Sequence, residues 1–395
     1  MSTATSVELL AIAAAELATI RRAKDFARWK DETRHRLNDA LSDVEPFRDY
    51  RHTWIFTGDG GRVAAGSRFG DWAIDRLLLR LSPEEVLAGL ATEIDRNSAT
   101  YSEVSPVFGV QIEENCDLGD GVMLEAAPEG IVQAFARDLW PPSAEPLPEG
   151  TAFLRQTFTV SPAFEQRAEE ATAPIAEALT VPDRAVRDRV RSKVRLACLL
   201  ASTGAVEFPL SALRPDRSAL FAAGDGDQAR RPVHSVPRVP YPVEAARVAV
   251  AFKALAAFDG GDALTRAIDR LGRSRSTTNQ VDRALELGMA AEIALMHDTG
   301  SNNTEITYKI ASRAAWLVGS DVPDREAVFN AVKDLYYARS QAVHSGVLSA
   351  KARLDLEASD RLVSRVLFAI AEHGRFPDWT CLVLGGGPER TVKID

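Results

Sequence analysis

Apolar side chains recur at three-and-four spacing through most of the last third of this chain, and that rhythm predicts helices. The pattern places them near 243–271, 279–297, 303–318, 324–343 and 354–373, with breaks at SRSTTNQ, HDTGSNNT, GSDVPD and SGVLSAKA. Each has one apolar face and the connections are short, so an antiparallel bundle is expected. Residues 5–45 and 163–204 also read as helical. Ser82-Pro83-Glu84-Glu85 is a helix start, with a serine cap, proline at the first helical position and acid in the first turn. That helix should run to about Arg96. Around the Gly/Asp turn Gly58–Gly61, HTWIFTGDGGRVAAG predicts two short strands. Residues 103–160 change character: VSPVFGVQIEE, GVMLEAAP and AFLRQTFTV are rich in β-branched and aromatic residues with partial alternation, which predicts strands, and AVEFPL adds a further short one.

Proline and glycine punctuate the rest. PPSAEPLPEG (141–150) is a loop. GDGDQARRPVHSVPRVPYPVEAA (224–246) carries Pro232, Pro237, Pro240 and Pro242 and reads as the clearest linker, because proline removes a donor and blocks helix and central strand alike. The expected fold is mainly α, with a smaller α+β N-terminal region (1–223, strands mainly at 103–160), a Pro-rich linker (224–242), a helical domain (243–375) and a weakly ordered or loosely docked tail (376–395).

At 395 residues the chain suits two or three domains. Its net charge of -9 argues against a constitutively basic nucleic-acid coat, so any RNA contact needs a local basic groove. The most basic short segment holds Arg184, Arg187, Arg189, Arg191, Lys193 and Arg195. Arg189, Arg191 and Lys193 are candidate phosphate contacts there, with a solvated, ion-paired face as the competing reading. Cys116, Cys198 and Cys381 are far apart and not in metal spacing, which suits reduced thiols in a cytoplasmic protein. Glu8 and Glu16 interrupt the apolar N-terminus and its basic residues come after it, so it reads as an amphipathic helix and not as a signal peptide. No apolar run is long enough to predict a membrane span. Glu113, Glu114, Asp117 and Asp120 lie between two strands but lack EF-hand spacing, so a solvated turn is expected. No cofactor or metal is expected.

Candidate chemistry concentrates in Phe329–Gly346. The stripe Val328, Phe329, Val332, Leu335, Tyr336, Val343 admits Arg339, and a guanidinium there needs a partner, a cleft or an interface. His344 follows five residues later. Of the other histidines, His35, His52 and His234 lie in charged or loop contexts, and His297 and His373 end helices, where positive charge is welcome. No pair has HExxH spacing, and no serine sits in a nucleophile elbow. On a regular helix Arg339 and His344 point about 140° apart. They converge if the helix loosens near Ser340–Gly346 or if two subunits share the site. Together they suit RNA cleavage: histidine moves protons at neutral pH, and arginine offers a fixed fork of donors to a phosphate.

LYYARSQAVHSG resembles the Arg-x(4–6)-His signature of the HEPN superfamily of ribonucleases, and is most similar to its ApeA-like group. GMAAEIALM (288–296), with Glu292, and ITYKIASRAAWLVG (306–319), with Arg313, resemble the preceding helices of that domain. The resemblance covers about 245–375. It implies a helical domain that pairs as a homodimer, binds RNA and cleaves it without a metal, often as a toxin or anti-phage effector. Arg339 would contact the scissile phosphate and His344 would be the acid/base. Glu292 would orient Arg339, with a structural ion pair as the alternative. Ser340 stands where many members have Asn, Asp or His, and Ser345 stands where glycine usually follows the histidine. A silent HEPN module for dimerisation or RNA binding, regulated by the N-terminal region, is the rival reading.

Overall fold

Local signals and tertiary packing can be separated element by element in the structure, a computed structural model. It describes residues 3–20, 22–45, 47–50, 53–56, 62–127, 147–161, 164–165, 184–216, 220, 228–230, 240–298, 305–348 and 354–386. In chain order these form α1 (Thr3–Thr19), α2 (Ala23–Ser42), β1 (Trp54–Phe56), β2 (Arg62–Ala64), α3 (Phe69–Leu78), α4 (Pro83–Arg96), β3 (Ala99–Val107), β4 (Val110–Gln111), β5 (Cys116–Gly119), β6 (Val122–Glu125), β7 (Ala152–Val160), β8 (Phe164–Glu165), α5 (Arg184–Ala201), β9 (Leu210–Pro215), β10 (Gln228–Arg230), β11 (Tyr241–Pro242), α6 (Ala245–Ala257), α7 (Ala263–Ser276), α8 (Gln280–Leu295), α9 (Ile306–Val318), α10 (Val322–Ser345), α11 (Leu356–His373) and α12 (Trp379–Val383). The class is mainly helical. The largest sheet has the strand order β10-β9-β3-β7-β6-β5, with β3–β9 and β5–β6 antiparallel. No helix among the described residues is long and apolar enough to cross a membrane.

Two compact units emerge: Met1–Val104 with Gln156–Arg184 and Ser211–Ala229, and Ser105–Arg155 with Ala185–Leu210 and Arg230–Asp395. The first has its own core, in which Leu10, Leu37, Leu41, Phe69, Trp72, Ile74, Leu90 and Tyr101 are buried together. α4 begins as its sequence predicts. Ser82 Oγ accepts from Glu85 N (3.2 Å), and Ser82 N donates to Glu85 Oε2 (2.7 Å), a reciprocal capping box. Asn97 then closes the helix in the left-handed region. β1 and β2 pair antiparallel, Trp54 opposite Ala64; the turn Gly58–Gly61 lies outside the described residues. The helical reading of 163–204 is corrected at its start, where Ile55 and Phe164 pair across an antiparallel β1–β8 ladder.

The second unit differs from the expected division at 223/243, because it draws in earlier segments. Val194, Ala197, Cys198, Leu199 and Leu200 of α5 are buried in one core with α6 to α11. A buried ion pair fixes this join: Arg275 Nη2 lies 2.7 Å from Asp360 Oδ1, both side chains being 2% exposed. Arg275 Nη1 also donates to Leu199 O at 2.6 Å, so one guanidinium ties α7 to α11 and α5. The end of the expected linker is a strand as well: Tyr241–Pro242 pairs parallel with Val110–Gln111, and Tyr241 N donates to Gly109 O (3.1 Å). Proline is tolerated there because the pairing is short and at an edge.

Two further expectations change. The helix at 243–271 is two helices, α6 and α7, broken where Gly261 has φ +69. A Cβ on Gly260 would fall 2.4 Å from the Phe258 ring. The beginning of the tail is docked, not loose: Asp378 caps α12 by accepting from Thr380 N and Cys381 N (3.0 Å each), and Trp379 and Leu382 are buried. Phe376 stacks on His297 with ring centroids 3.6 Å apart. Gly385 and Gly386 form no regular element, and Gly387 lies outside the described residues.

Two predictions follow from this packing. Asp360→Asn leaves the Arg275 charge buried with only carbonyl partners, which should cost about 3–5 kcal/mol in urea denaturation; a loss under about 1 kcal/mol would show that the pair is not desolvated. The second concerns His297 and His373, whose pKa values burial lowers from the usual histidine range. The unfolded chain therefore takes up protons first as pH falls, so this contribution to stability is intact above pH about 6.5 and is lost as pH drops through the folded-state values. The His297→Gln/His373→Gln variant should show a flatter fall of Tm between pH 7 and 5 than the parent chain, and equal slopes would refute the assignment.

Candidate functional site

α10 is built to be regular. Asp321 caps its start by accepting from Asp324 N (2.9 Å), and Pro323 sits in the first turn. Val328, Val332, Leu335, Ala338 and Ala342 form the buried stripe. The helix continues unbroken to Ser345, and Gly346, at φ +68, closes it with its N–H donating to Ala342 O (3.1 Å). The loosening near Ser340–Gly346 that would let the two side chains converge within one chain is therefore absent. Ser345 donates its hydroxyl to Gln341 O one turn back (2.8 Å). Within one chain Arg339 and His344 stay about 140° apart around the helix.

Their surroundings differ accordingly. Arg339 lies beside the buried stripe, against α8. Its Nη2 is 2.9 Å from Glu292 Oε2, with the side chains 25% and 29% exposed. Its guanidinium carbon is 5.5 Å from the centroid of the Tyr336 ring, three residues back on the same face. Arg339 Nε is buried without a hydrogen-bond partner. Burial raises the Tyr336 pKa, the Glu292 carboxylate adds to the rise, and Arg339 opposes it. His344 is exposed on the solvent face. Tyr337, seven residues earlier, shares that face by helical spacing, and its hydroxyl accepts from Gln341 Nε2 (3.1 Å). Ser340 is half-buried.

Glu292 is thus the one supporting residue that meets Arg339. Tyr336, read in the sequence only as an apolar stripe position, is the residue missed; its three-residue spacing from Arg339 was the available signal. Arg313 belongs to a different contact: it pairs with Asp298 (2.7 Å) and lies 5.2 Å over the Trp379 ring.

The basic segment does not present one face to phosphate. Arg191 is 3% exposed and pairs with Asp188. Lys193 is half-buried, its Nζ 5.9 Å over the Phe252 ring, and Arg189 is exposed. The reason is spacing: Arg187, Arg191 and Arg195 recur every four residues and share a face, while Arg191 and Arg189 point about 160° apart. Arg195 is held by Asp269 (2.8 Å) and Val206 O (3.0 Å). Glu113, Glu114, Asp117 and Asp120 are exposed, and Asp117 Oδ1 accepts from Gly119 N (2.8 Å) in its own turn. Among the described residues no group of three or more His, Cys, Asp or Glu side chains is placed to hold a metal ion.

The Arg339–Glu292 pair is partly solvated, so its worth is modest. A double-mutant cycle of Arg339→Met with Glu292→Gln should give a coupling energy of about 1 kcal/mol or less; a value above about 3 kcal/mol would mark a fully desolvated clip.

No family model matches this chain, and no curated protein or solved structure matches it either.

Proposed function

We propose that this protein is an endoribonuclease of HEPN type whose working site is assembled from two copies of the chain, Arg339 from one and His344 from the other. The observation that carries this reading is the regular course of α10 through both residues. A five-residue spacing on an undistorted helix separates the two groups, so a second copy is the route that brings them to one phosphate. The HEPN resemblance of 245–375 supports the same arrangement.

In that cleft His344 takes the proton from a ribose 2′-OH. The freed oxygen attacks the adjacent phosphorus, the 5′-oxygen leaves, and a 2′,3′-cyclic phosphate remains on the upstream fragment. Arg339 donates to the non-bridging oxygens, where negative charge grows in the transition state. His344, now protonated, then gives that proton to the leaving 5′-oxygen, so each site uses one His344. The chemistry needs one proton acceptor, one proton donor and one fixed cation, all of which the pair supplies. A cellular role as a defence or toxin-like effector follows the same resemblance.

The second reading, a catalytically silent module for dimerisation or RNA binding, is favoured by one observation: Arg339 is already engaged by Glu292. Mixing experiments separate the two. Arg339→Ala and His344→Ala should each abolish cleavage of cellular RNA, read by sequencing RNA ends. Co-expressed, they should recover about a quarter of parental activity, because half of the random pairs are mixed and each mixed pair rebuilds one of its two sites. Active single variants would sink the site assignment. Inactive mixtures that still pair would sink the shared site, and a parent chain that never cuts RNA would leave the silent module.

A further inference from the structure

Glycine in the interior of a helix costs about 1 kcal/mol relative to alanine, and α8 carries one at Gly288, buried against α10. The cost has a visible cause. A Cβ placed on Gly288 would lie 2.5 Å from Arg339 Cβ and 2.6 Å from its Cγ. Carbon atoms in good contact sit about 3.5–4.0 Å apart, so no side chain fits there while Arg339 keeps its place. One turn along α8, Glu292 meets the head of the same side chain at 2.9 Å, and the Tyr336 ring lies 5.5 Å from the guanidinium carbon. The stem rests on bare backbone, the head meets a carboxylate, and Nε is enclosed without a partner.

We propose that Gly288 is a positioning residue for Arg339: by letting the two helices approach so closely, it sets the height and direction from which the guanidinium reaches a phosphate. The idea rests on the RNA-cleavage reading for its consequence, but the geometric part stands apart from it. An alanine at 288 adds helix propensity and removes the space under the stem. The guanidinium must then swing from Glu292 or the helices must part, and either motion displaces a group whose work depends on sub-ångström placement.

Two readouts on the full chain test this. The first is the Arg339 Nε–H signal in ¹⁵N NMR, assigned by its loss in Arg339→Lys. In the parent chain it should exchange slowly with solvent, and in Gly288→Ala it should shift and exchange at least about tenfold faster, because burial of Nε is what protects it. The second is RNA cleavage, where Gly288→Ala should lower kcat about a hundredfold while KM changes little. Gly272→Ala is the control. It places a less crowded methyl, 2.9 Å from Leu199 Cδ1 and 3.0 Å from Arg195 Nη2, in a helix contact away from Arg339, and should leave kcat unchanged. An unaltered Nε–H signal in Gly288→Ala overturns the proposal, as does an unaltered kcat. If the parent chain cuts no RNA, the functional reading fails, and the NMR arm alone still decides the positioning claim. Should Gly288→Ala not fold, adding Arg339→Gly removes the opposing carbons and should restore folding; no restoration overturns the claimed contact.

Discussion

A single buried guanidinium, Arg275, determines much of how the larger unit is put together. It lies against Asp360 of α11 and the Leu199 carbonyl of α5, so three stretches far apart in the chain meet at one charge. Removing two charges from water is costly, and the loss is offset only when geometry and hydrogen bonding are both good. Arg275 meets that condition with contacts from Nε, Nη1 and Nη2. The cores around it, Leu199 and Leu200 from α5 and Val363, Val366 and Leu367 from α11, then close over the pair. This explains why α5 belongs with helices that follow it by more than forty residues.

The same logic of spacing governs the candidate site. α10 is capped at both ends and has a continuous buried stripe, so nothing in its own bonding asks it to unwind. Arg339 is drawn inward by its place near that stripe and finds Glu292. His344 is left on the solvent face with Tyr337 and Gln341. A helix so constructed turns Arg339 and His344 to different surroundings, and under the proposed function a two-copy cleft is what would bring those surroundings together. The arginines of α5 illustrate the rule from the other side: at i, i+4 spacing Arg187, Arg191 and Arg195 turn toward packed surroundings, so only part of a segment that is basic in sequence reaches the surface.

Local chemistry made several features readable in advance. The Ser82 capping box, the β-branched runs at 103–160 and the helical periodicities after 243 all act over a few residues, where backbone geometry and side-chain reach are short-range. The break at Phe258–Asp262 was harder, because Gly260 and Gly261 lie inside an otherwise helical pattern and the break is secured by Asp259 N donating to Gly374 O (2.8 Å), more than a hundred residues away. The docking of Trp379 and Phe376 was hidden for the same reason: their partners, Arg313 in α9 and His297 in the turn after α8, lie far away along the chain.

For the site, sequence alone determined the residue types and their five-residue spacing, and therefore the roughly 140° that separates Arg339 from His344 on any regular helix. Only the tertiary structure decided that the helix is in fact regular, that Glu292 takes the arginine, and that Gly288 makes the close approach possible. Periodicity is a property of one segment and can be read along it. Which carboxylate meets a guanidinium, and whether a neighbouring helix has room for its stem, depend on two segments packing at once, and that information lies in no single stretch of chain.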